Sequence, residues 1–105
     1  VQRKILKKAD IKLLSNFQIA DTETFQEHIN SNEFKKIYKK IQEYIYPQLK
    51  INPYFGNNIK RLKGEYNDTF RYRIGKYRLF YSIDESKVII YVIDIIDRKD
   101  AYKNK

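Results

Sequence analysis

Residues 69–83, TFRYRIGKYRLFYSI, contain the pattern that decides the fold. Apolar and polar side chains alternate on both sides of Gly75-Lys76, and such alternation is typical of β-strands with one buried face. A two-residue connection that begins with glycine is typical of a type II′ hairpin turn. The segment therefore predicts two antiparallel strands, residues 69–74 and 77–83, joined by a tight turn.

The turn determines which side chains share a face of the hairpin. The predicted register pairs Ile74 with Tyr77, Arg73 with Arg78, Tyr72 with Leu79 and Arg71 with Phe80. One face is then an apolar floor for helices: Phe70, Tyr72, Ile74, Tyr77, Leu79 and Tyr81. The opposite face carries Arg71, Arg73, Arg78 and Phe80. A slip of one residue would exchange the faces and bury three arginines, which is costly.

Three arginines on one face of a hairpin need an explanation. Like charges directly opposite each other destabilise a sheet, unless an anion sits among them. Phe80 would add a stacking surface beside the charge, and single-stranded nucleic acid is bound by such a combination. The alternative is a solvated basic face on which Asp94 or a C-terminal acid pairs with one arginine.

Helical periodicity precedes the hairpin. Residues 16–22 are expected to form a short strand, and a helix is expected to begin at Thr22 or Thr24. A second helix is expected to begin at Ser31 or Asn32 and to end at or within a few residues of Pro47. Its apolar stripe follows helical spacing: Phe34, Ile37, Tyr38, Ile41, Tyr44 and Ile45.

The element order indicates an α+β fold. Residues 88–96 are β-branched and apolar on both faces, which predicts a strand inside the sheet. We expect a single domain over residues 1–105, in which 1–14 is a possible N-terminal extension. The predicted architecture is an N-terminal helical hairpin packed on one face of a small, mainly antiparallel sheet.

The charge balance predicts a polyanionic partner. Lys and Arg number 22 against 13 Asp and Glu, a formal net charge of +9. Such a field concentrates nucleic acid or an acidic protein near the surface. A generically soluble basic protein is the alternative.

Composition also excludes several kinds of site. The chain has no cysteine, so disulfides, thiolate metal sites and cysteine nucleophiles are excluded, and His28 is its one histidine. We expect no metal and no cofactor. No apolar run approaches the roughly 18 residues of a membrane span, so a cytoplasmic protein that does not bind membranes is expected.

Four segments resemble the RelE/ParE superfamily of bacterial and archaeal type II toxins. They are residues 52–56 (NPYFG), 59–64 (IKRLKG), 70–81 (FRYRIGKYRLFY) and 97–102 (DRKDAY). The resemblance implies the RelE-like microbial RNase fold. It also implies a function, but two are known: RelE-like members are ribosome-dependent endoribonucleases that cut messenger RNA, whereas ParE-like members poison DNA gyrase.

The RelE-like site resembles a set of residues in this chain. In such nucleases it consists of two basic residues before the hairpin turn, an arginine after it, an arginine after the last strand and a C-terminal tyrosine. Here these positions are filled by Arg71, Arg73, Arg78, Arg98 and Tyr102. The match favours the nuclease over a gyrase inhibitor, or over an inactive relative that only binds an antitoxin or nucleic acid.

The resemblance implies a metal-independent mechanism. The ribose 2′-OH attacks the adjacent phosphate and leaves a 2′,3′-cyclic phosphate and a 5′-OH. Arg78 would stabilise the transition state, Arg98 the leaving oxygen, and Tyr102 would orient the nucleotide, while Arg71 and Arg73 hold the backbone. The remaining RNA-binding candidates are Lys60, Arg61, Lys63, Lys76 and Phe80.

The general base is open. RelE-like sites often have lysine where this chain has Arg71 and Arg73, and a guanidinium with a pKa above about 12 is a poor base. The base is then ribosomal RNA or a tyrosine such as Tyr77, or catalysis is mainly electrostatic.

The resemblance also implies partners. They are a cognate antitoxin, whose acidic or apolar segment covers or distorts the basic site in a toxin–antitoxin hetero-oligomer, and the ribosome with its messenger RNA.

Overall fold

A computed structural model describes residues 16–64 and 68–99 of the chain. Its strands are β1 Gln18–Asp21, β2 Ile59–Arg61, β3 Thr69–Ile74, β4 Tyr77–Asp84 and β5 Ile89–Asp97. Its helices are α1 Glu23–Ile29, α2 Asn32–Lys40 and α3 Tyr46–Ile51, with a π-helical segment, Ile41–Ile45, between the last two. The expected extension at residues 1–14 lies outside the described residues.

The strands form one mixed sheet in the order β1-β5-β4-β3-β2. The β1–β5 pair is parallel and the other three pairs are antiparallel. The predicted α+β class with a mainly antiparallel sheet is therefore confirmed. β5 lies between β1 and β4, as its apolar character on both faces predicted, and Ile90, Val92 and Ile95 are fully buried.

The β3–β4 hairpin has the predicted register. Ile74 pairs with Tyr77, Arg73 with Arg78, Tyr72 with Leu79 and Arg71 with Phe80. Gly75 has a φ of +57°, a conformation that glycine adopts without strain at the first position of a II′ turn. The floor residues are buried, except that Tyr77 is half-buried against the Phe34 ring.

The first helix begins as the sequence predicts. The Thr22 hydroxyl accepts the N–H of Phe25 and donates to the carbonyl of Val92 at 2.8 Å. This threonine therefore caps α1 and ties it to β5, while Phe25 is fully buried in the core.

The helical path continues past Pro47 and ends at Ile51, within a few residues of the proline, as expected. The Tyr46 N–H donates to the Ile41 carbonyl five residues back, which is the π-helical spacing. Pro47 then stands in the first turn of α3, where a missing N–H is tolerated. The added turn brings Leu49 into the core.

One apolar core joins the helices to the floor of the sheet. It consists of Phe25, Ile29, Ile41, Ile45, Tyr46, Leu49, Phe70, Tyr72, Ile74, Leu79, Tyr81, Ile90, Val92 and Ile95. Within residues 16–64 and 68–99, no helix has both the length and the apolar character needed to cross a bilayer.

Candidate nucleic-acid interface

The sheet face turned away from the helices carries a row of basic and aromatic residues. Lys60 on β2 lies opposite Arg71 on β3, and Arg71 lies opposite Phe80 on β4. Directly paired residues of antiparallel strands share a face, so these three side chains line up across the sheet. Arg73 lies two residues further along β3. We call this group the basic face: Lys60, Arg71, Arg73 and Phe80.

Arg71 has an unsatisfied donor on this face. Its Nε is buried and, within the described residues, it is the one buried side-chain nitrogen or oxygen without a hydrogen-bond partner. A buried donor left unpaired costs free energy, which an arriving acceptor recovers. The unmet donor therefore favours a movement of the Arg71 guanidinium toward an acceptor such as a phosphate oxygen.

The arginines of the basic face are not neutralised by acids. No carboxylate of the described residues lies within ion-pair distance of Arg71 or Arg73. Asp94, which the solvated alternative would pair with an arginine, instead contacts Nδ1 of His28 at 2.5 Å. His28 is exposed at the C-terminal end of α1.

Arg78 differs from the other arginines of the hairpin. The register places it opposite Arg73, but Arg73 is exposed and Arg78 is only 5% exposed. Its Nη1 donates to the carbonyls of Gly75 at 3.1 Å and of Tyr77 at 3.0 Å. The three arginines therefore share one face of the hairpin, as predicted, but the Arg78 guanidinium is buried against the turn.

The end of β5 brings Arg98 to the hairpin turn. The Arg98 N–H donates to the Lys76 carbonyl at 2.6 Å, and the Arg98 side chain is exposed. Lys76 Nζ lies 3.8 Å from a carboxylate oxygen of Asp97 and 5.4 Å from the centre of the Tyr77 ring. The turn and the strand end are thus held together. Tyr102 lies outside the described residues.

The structure divides the remaining RNA-binding candidates. Lys60 and Phe80 belong to the basic face, whereas Arg61 pairs with Phe70 and lies on the helix side, its Cζ 5.9 Å from the Phe70 ring centre. Lys63 is exposed beyond the end of β2. Tyr77, a candidate base, faces the helix side and packs against Phe34, away from the basic face.

Most of the chain matches a known sequence family. Residues 19–102 match the family described as ParE toxin of type II toxin-antitoxin system, parDE. The chain belongs to this family. The expected membership of the RelE/ParE superfamily of type II toxins is thereby confirmed.

Solved structures share the toxin's fold. The crystal structure of the RelBE2 toxin–antitoxin complex from Mycobacterium tuberculosis matches with a TM-score of 0.68 and 24% identity, covering 79% of this toxin and 99% of that chain. A YoeB/ParE toxin from Agrobacterium tumefaciens matches with a TM-score of 0.61 and 19% identity, covering 77% of this toxin and 98% of that chain. A mutant of the E. coli toxin RelE in the free state matches with a TM-score of 0.61 and 18% identity, covering 83% of this toxin and 88% of that chain. Among curated proteins, none matches the toxin.

Two cavities adjoin the sheet of the toxin. One of about 270 Å³ lies between the helices and β3, and its lining includes Lys40, Tyr44 and Arg73. The sequence pattern did not predict that Lys40 and Arg73 line one cavity, because the two residues belong to distant segments of the chain. The larger cavity, about 570 Å³, has Asp84 and Glu85 in its lining, so it is less suited to a polyanion.

Proposed function

We propose that this type II toxin is a ribosome-dependent endoribonuclease that cuts messenger RNA in the cytoplasm and so inhibits translation. One observation carries the proposal: the Lys60–Arg71 cross-strand pair, with Arg73 beside it, has no neutralising acid among the described residues, and Arg71 Nε lacks an acceptor. Like charges opposed in this way destabilise a sheet. A bound phosphate backbone would remove that repulsion and satisfy the donor.

The proposed chemistry needs no metal. The ribose 2′-OH attacks the adjacent phosphorus, the bond to the 5′-oxygen breaks, and the products are a 2′,3′-cyclic phosphate and a 5′-OH. Negative charge grows on the phosphoryl oxygens in the transition state, and preorganised guanidiniums stabilise it. Arg71 and Arg73 would hold the phosphate. Arg98 would stabilise the negative charge on the leaving 5′-oxygen, and Tyr102 would orient the nucleotide.

We propose that electrostatic stabilisation contributes more than base catalysis. A guanidinium does not give up its proton at neutral pH, so Arg71 and Arg73 are poor bases. Tyr77 is directed to the helix side, and the His28 ring is held in contact with Asp94. The proton of the 2′-OH then passes to a group of the ribosome or of the RNA, and a proton from the same surroundings reaches the leaving 5′-oxygen.

A second candidate function is inhibition of DNA gyrase, which ParE-like members perform. The match of residues 19–102 to the ParE toxin family favours it. An inhibitor that acts through protein contacts has no need of an unneutralised arginine pair on the sheet. We therefore place it second, with an inactive relative that binds only an antitoxin or nucleic acid as a third outcome.

We also propose an antitoxin partner. The RelBE2 complex from Mycobacterium tuberculosis and a RelB–RelE complex from Methanococcus jannaschii, both structurally similar to this chain, contain a toxin bound to its antitoxin. A net charge of +9 favours an acidic segment on the partner of this toxin. Such a segment would cover the basic face in a hetero-oligomer and release it when the antitoxin is lost.

The test is a map of RNA ends in a cell-free translation reaction. Purified toxin is added to a translated message and to the same message without ribosomes. Arg73→Ala is compared with Lys36→Ala, which removes an equal charge from the exposed surface of α2. Cuts within translated codons that require ribosomes and Arg73, but not Lys36, are expected.

A gyrase supercoiling assay runs in parallel with the same proteins. Inhibition of supercoiling together with intact message would replace the nuclease by the gyrase inhibitor. No effect in either assay, with a folded toxin that still binds RNA or its antitoxin, would leave the inactive relative.

A further inference from the structure

Arg78 is a buried charge with its own hydrogen-bond partners. Burying a guanidinium is costly unless its N–H groups find acceptors. Here Nη1 donates to the carbonyls of Gly75 and Tyr77, the two residues that flank Lys76 in the turn. The side chain is thereby committed to the backbone of the hairpin rather than to solvent.

The turn that Arg78 holds is open beside Gly75. A Cβ placed on Gly75 would meet no atom within 4 Å. Packing at this position therefore does not restrain the turn, and its hydrogen bonds do. The two bonds from the guanidinium restrain the Gly75–Lys76 and Tyr77–Arg78 peptide groups, which lie on either side of the Lys76–Tyr77 peptide.

Lys76 in turn restrains Arg98. Its carbonyl accepts the Arg98 N–H at 2.6 Å, and its ammonium lies near the carboxylate of Asp97. These contacts set the direction in which the chain leaves β5. The exposed Arg98 side chain begins at that point.

We propose that Arg78 is a positioning residue, which holds the hairpin turn so that the Lys76 carbonyl fixes the backbone of Arg98 beside the basic face. The inference rests on the proposed nuclease function for its effect on activity, but not for its structural part. It replaces the role of transition-state stabiliser that the family resemblance implied for Arg78. The arginines that contact RNA are then Arg71, Arg73 and Arg98.

The structural part is tested by amide hydrogen exchange on the whole toxin. Arg78→Gln is compared with Arg73→Gln, which changes the opposite residue of the same pair. We expect the Arg98 N–H to lose protection by about tenfold in the first variant and to keep it in the second. The Leu79 amide reports whether the core of the sheet is intact. Unchanged protection of Arg98 in Arg78→Gln would overturn the proposal.

Arg78→Lys keeps the charge and some donors, and it is the conservative variant. If Arg78→Gln does not fold, this variant carries the comparison. In Arg78→Lys we expect the protection of the Arg98 N–H to lie between its values in the wild type and in Arg78→Gln. The rate of RNA cleavage should rise above that of Arg78→Gln in the same proportion. Full protection with no cleavage would show that the guanidinium acts on the RNA itself and would refute positioning.

The catalytic part is tested by a double-mutant cycle in the cell-free reaction. If Arg78 acts through Arg98, adding Arg78→Gln to Arg98→Gln should change the cutting rate by less than about twofold. If the losses in cutting rate of the two single variants multiply in the double variant, the two arginines act independently and the proposal is contradicted. A wild-type toxin that cuts no message would defeat the proposed function, while the exchange measurement would still decide whether Arg78 positions Arg98.

Discussion

Arg73 and Arg78 lie directly opposite each other across the β3–β4 hairpin, but one guanidinium is exposed and the other is buried against the turn. The pair therefore does not act as two equal charges. Arg73 remains available to an anion, whereas Arg78 donates to the carbonyls of Gly75 and Tyr77. This asymmetry is the basis of the proposed division between arginines that bind RNA and an arginine that positions the site.

The asymmetry predicts unequal effects on stability. Arg73→Ala should leave the free energy of unfolding within about 0.5 kcal/mol of the wild type or raise it slightly, because it removes a like charge from the face. Arg78→Ala should lower it by about 1–3 kcal/mol, because two backbone carbonyls lose a charged donor. Urea unfolding measures both values. Equal changes in the two variants would contradict the assignment.

Lys60 and Arg61 are neighbours on β2 with side chains on opposite faces, which makes them a matched pair. Lys60→Gln should weaken binding of a single-stranded RNA oligonucleotide and reduce the slope of log affinity against log salt by about 0.7. Arg61→Gln should change that slope much less, because the residue lies on the helix side. Fluorescence anisotropy at several salt concentrations measures the slopes. Equal reductions would show that binding depends on net charge alone.

Asp21 at the end of β1 accepts two tyrosine hydroxyls, from Tyr38 at 2.7 Å and from Tyr46 at 2.6 Å. Tyr46→Phe should lower the free energy of unfolding by about 1–3 kcal/mol, because it leaves a carboxylate oxygen without its donor in a partly buried place. Tyr54→Phe is the control. Tyr54 donates to the exposed Glu85, so its substitution should lower the free energy of unfolding by less. A larger loss in the control would contradict this ranking.

The same tyrosines predict a loss of stability in alkali. Burial and the hydrogen bond to Asp21 raise the pKa of Tyr38 to about 12, burial and Glu85 raise the pKa of Tyr54 to about 12, and burial raises the pKa of Tyr46 and Tyr81 as well. Unfolded tyrosine titrates near pH 10. Between about pH 10 and 12 the folded state therefore binds more protons, and the free energy of unfolding falls as the pH rises.

Denaturant unfolding at several pH values from 8 to 11 measures this dependence. Below about pH 9 the tyrosines should not change the free energy of unfolding, because they are protonated in both states. Above about pH 10 the free energy of unfolding should decline. Tyr46→Phe should decline less steeply, because one shifted hydroxyl is absent. A wild-type curve that rises above pH 10, or a variant with the steeper decline, would contradict the prediction.

Much of the fold was predictable because it depends on short-range periodicity. The alternation in residues 69–83 and the glycine turn specified the hairpin register, and the Thr22 cap depends on residues within one helical turn. The end of the second helix near Pro47 was also predictable, but the π-helical segment before the proline was not. A proline normally ends a helix, but the π-helical spacing of Tyr46 and Ile41 changes the hydrogen-bond partners just before it.

The sequence by itself determined the α+β class and the two faces of the hairpin, because local alternation and the cost of buried charge leave one arrangement. The superfamily followed from the resemblance of four segments to known toxins. Only the tertiary structure decided what each basic side chain does. Arg78 turns toward two carbonyls, Arg61 lies on the helix side, and Asp94 contacts His28 rather than an arginine. These contacts depend on distant segments packed in three dimensions, so a side chain's partner could not be deduced from its place in the strand.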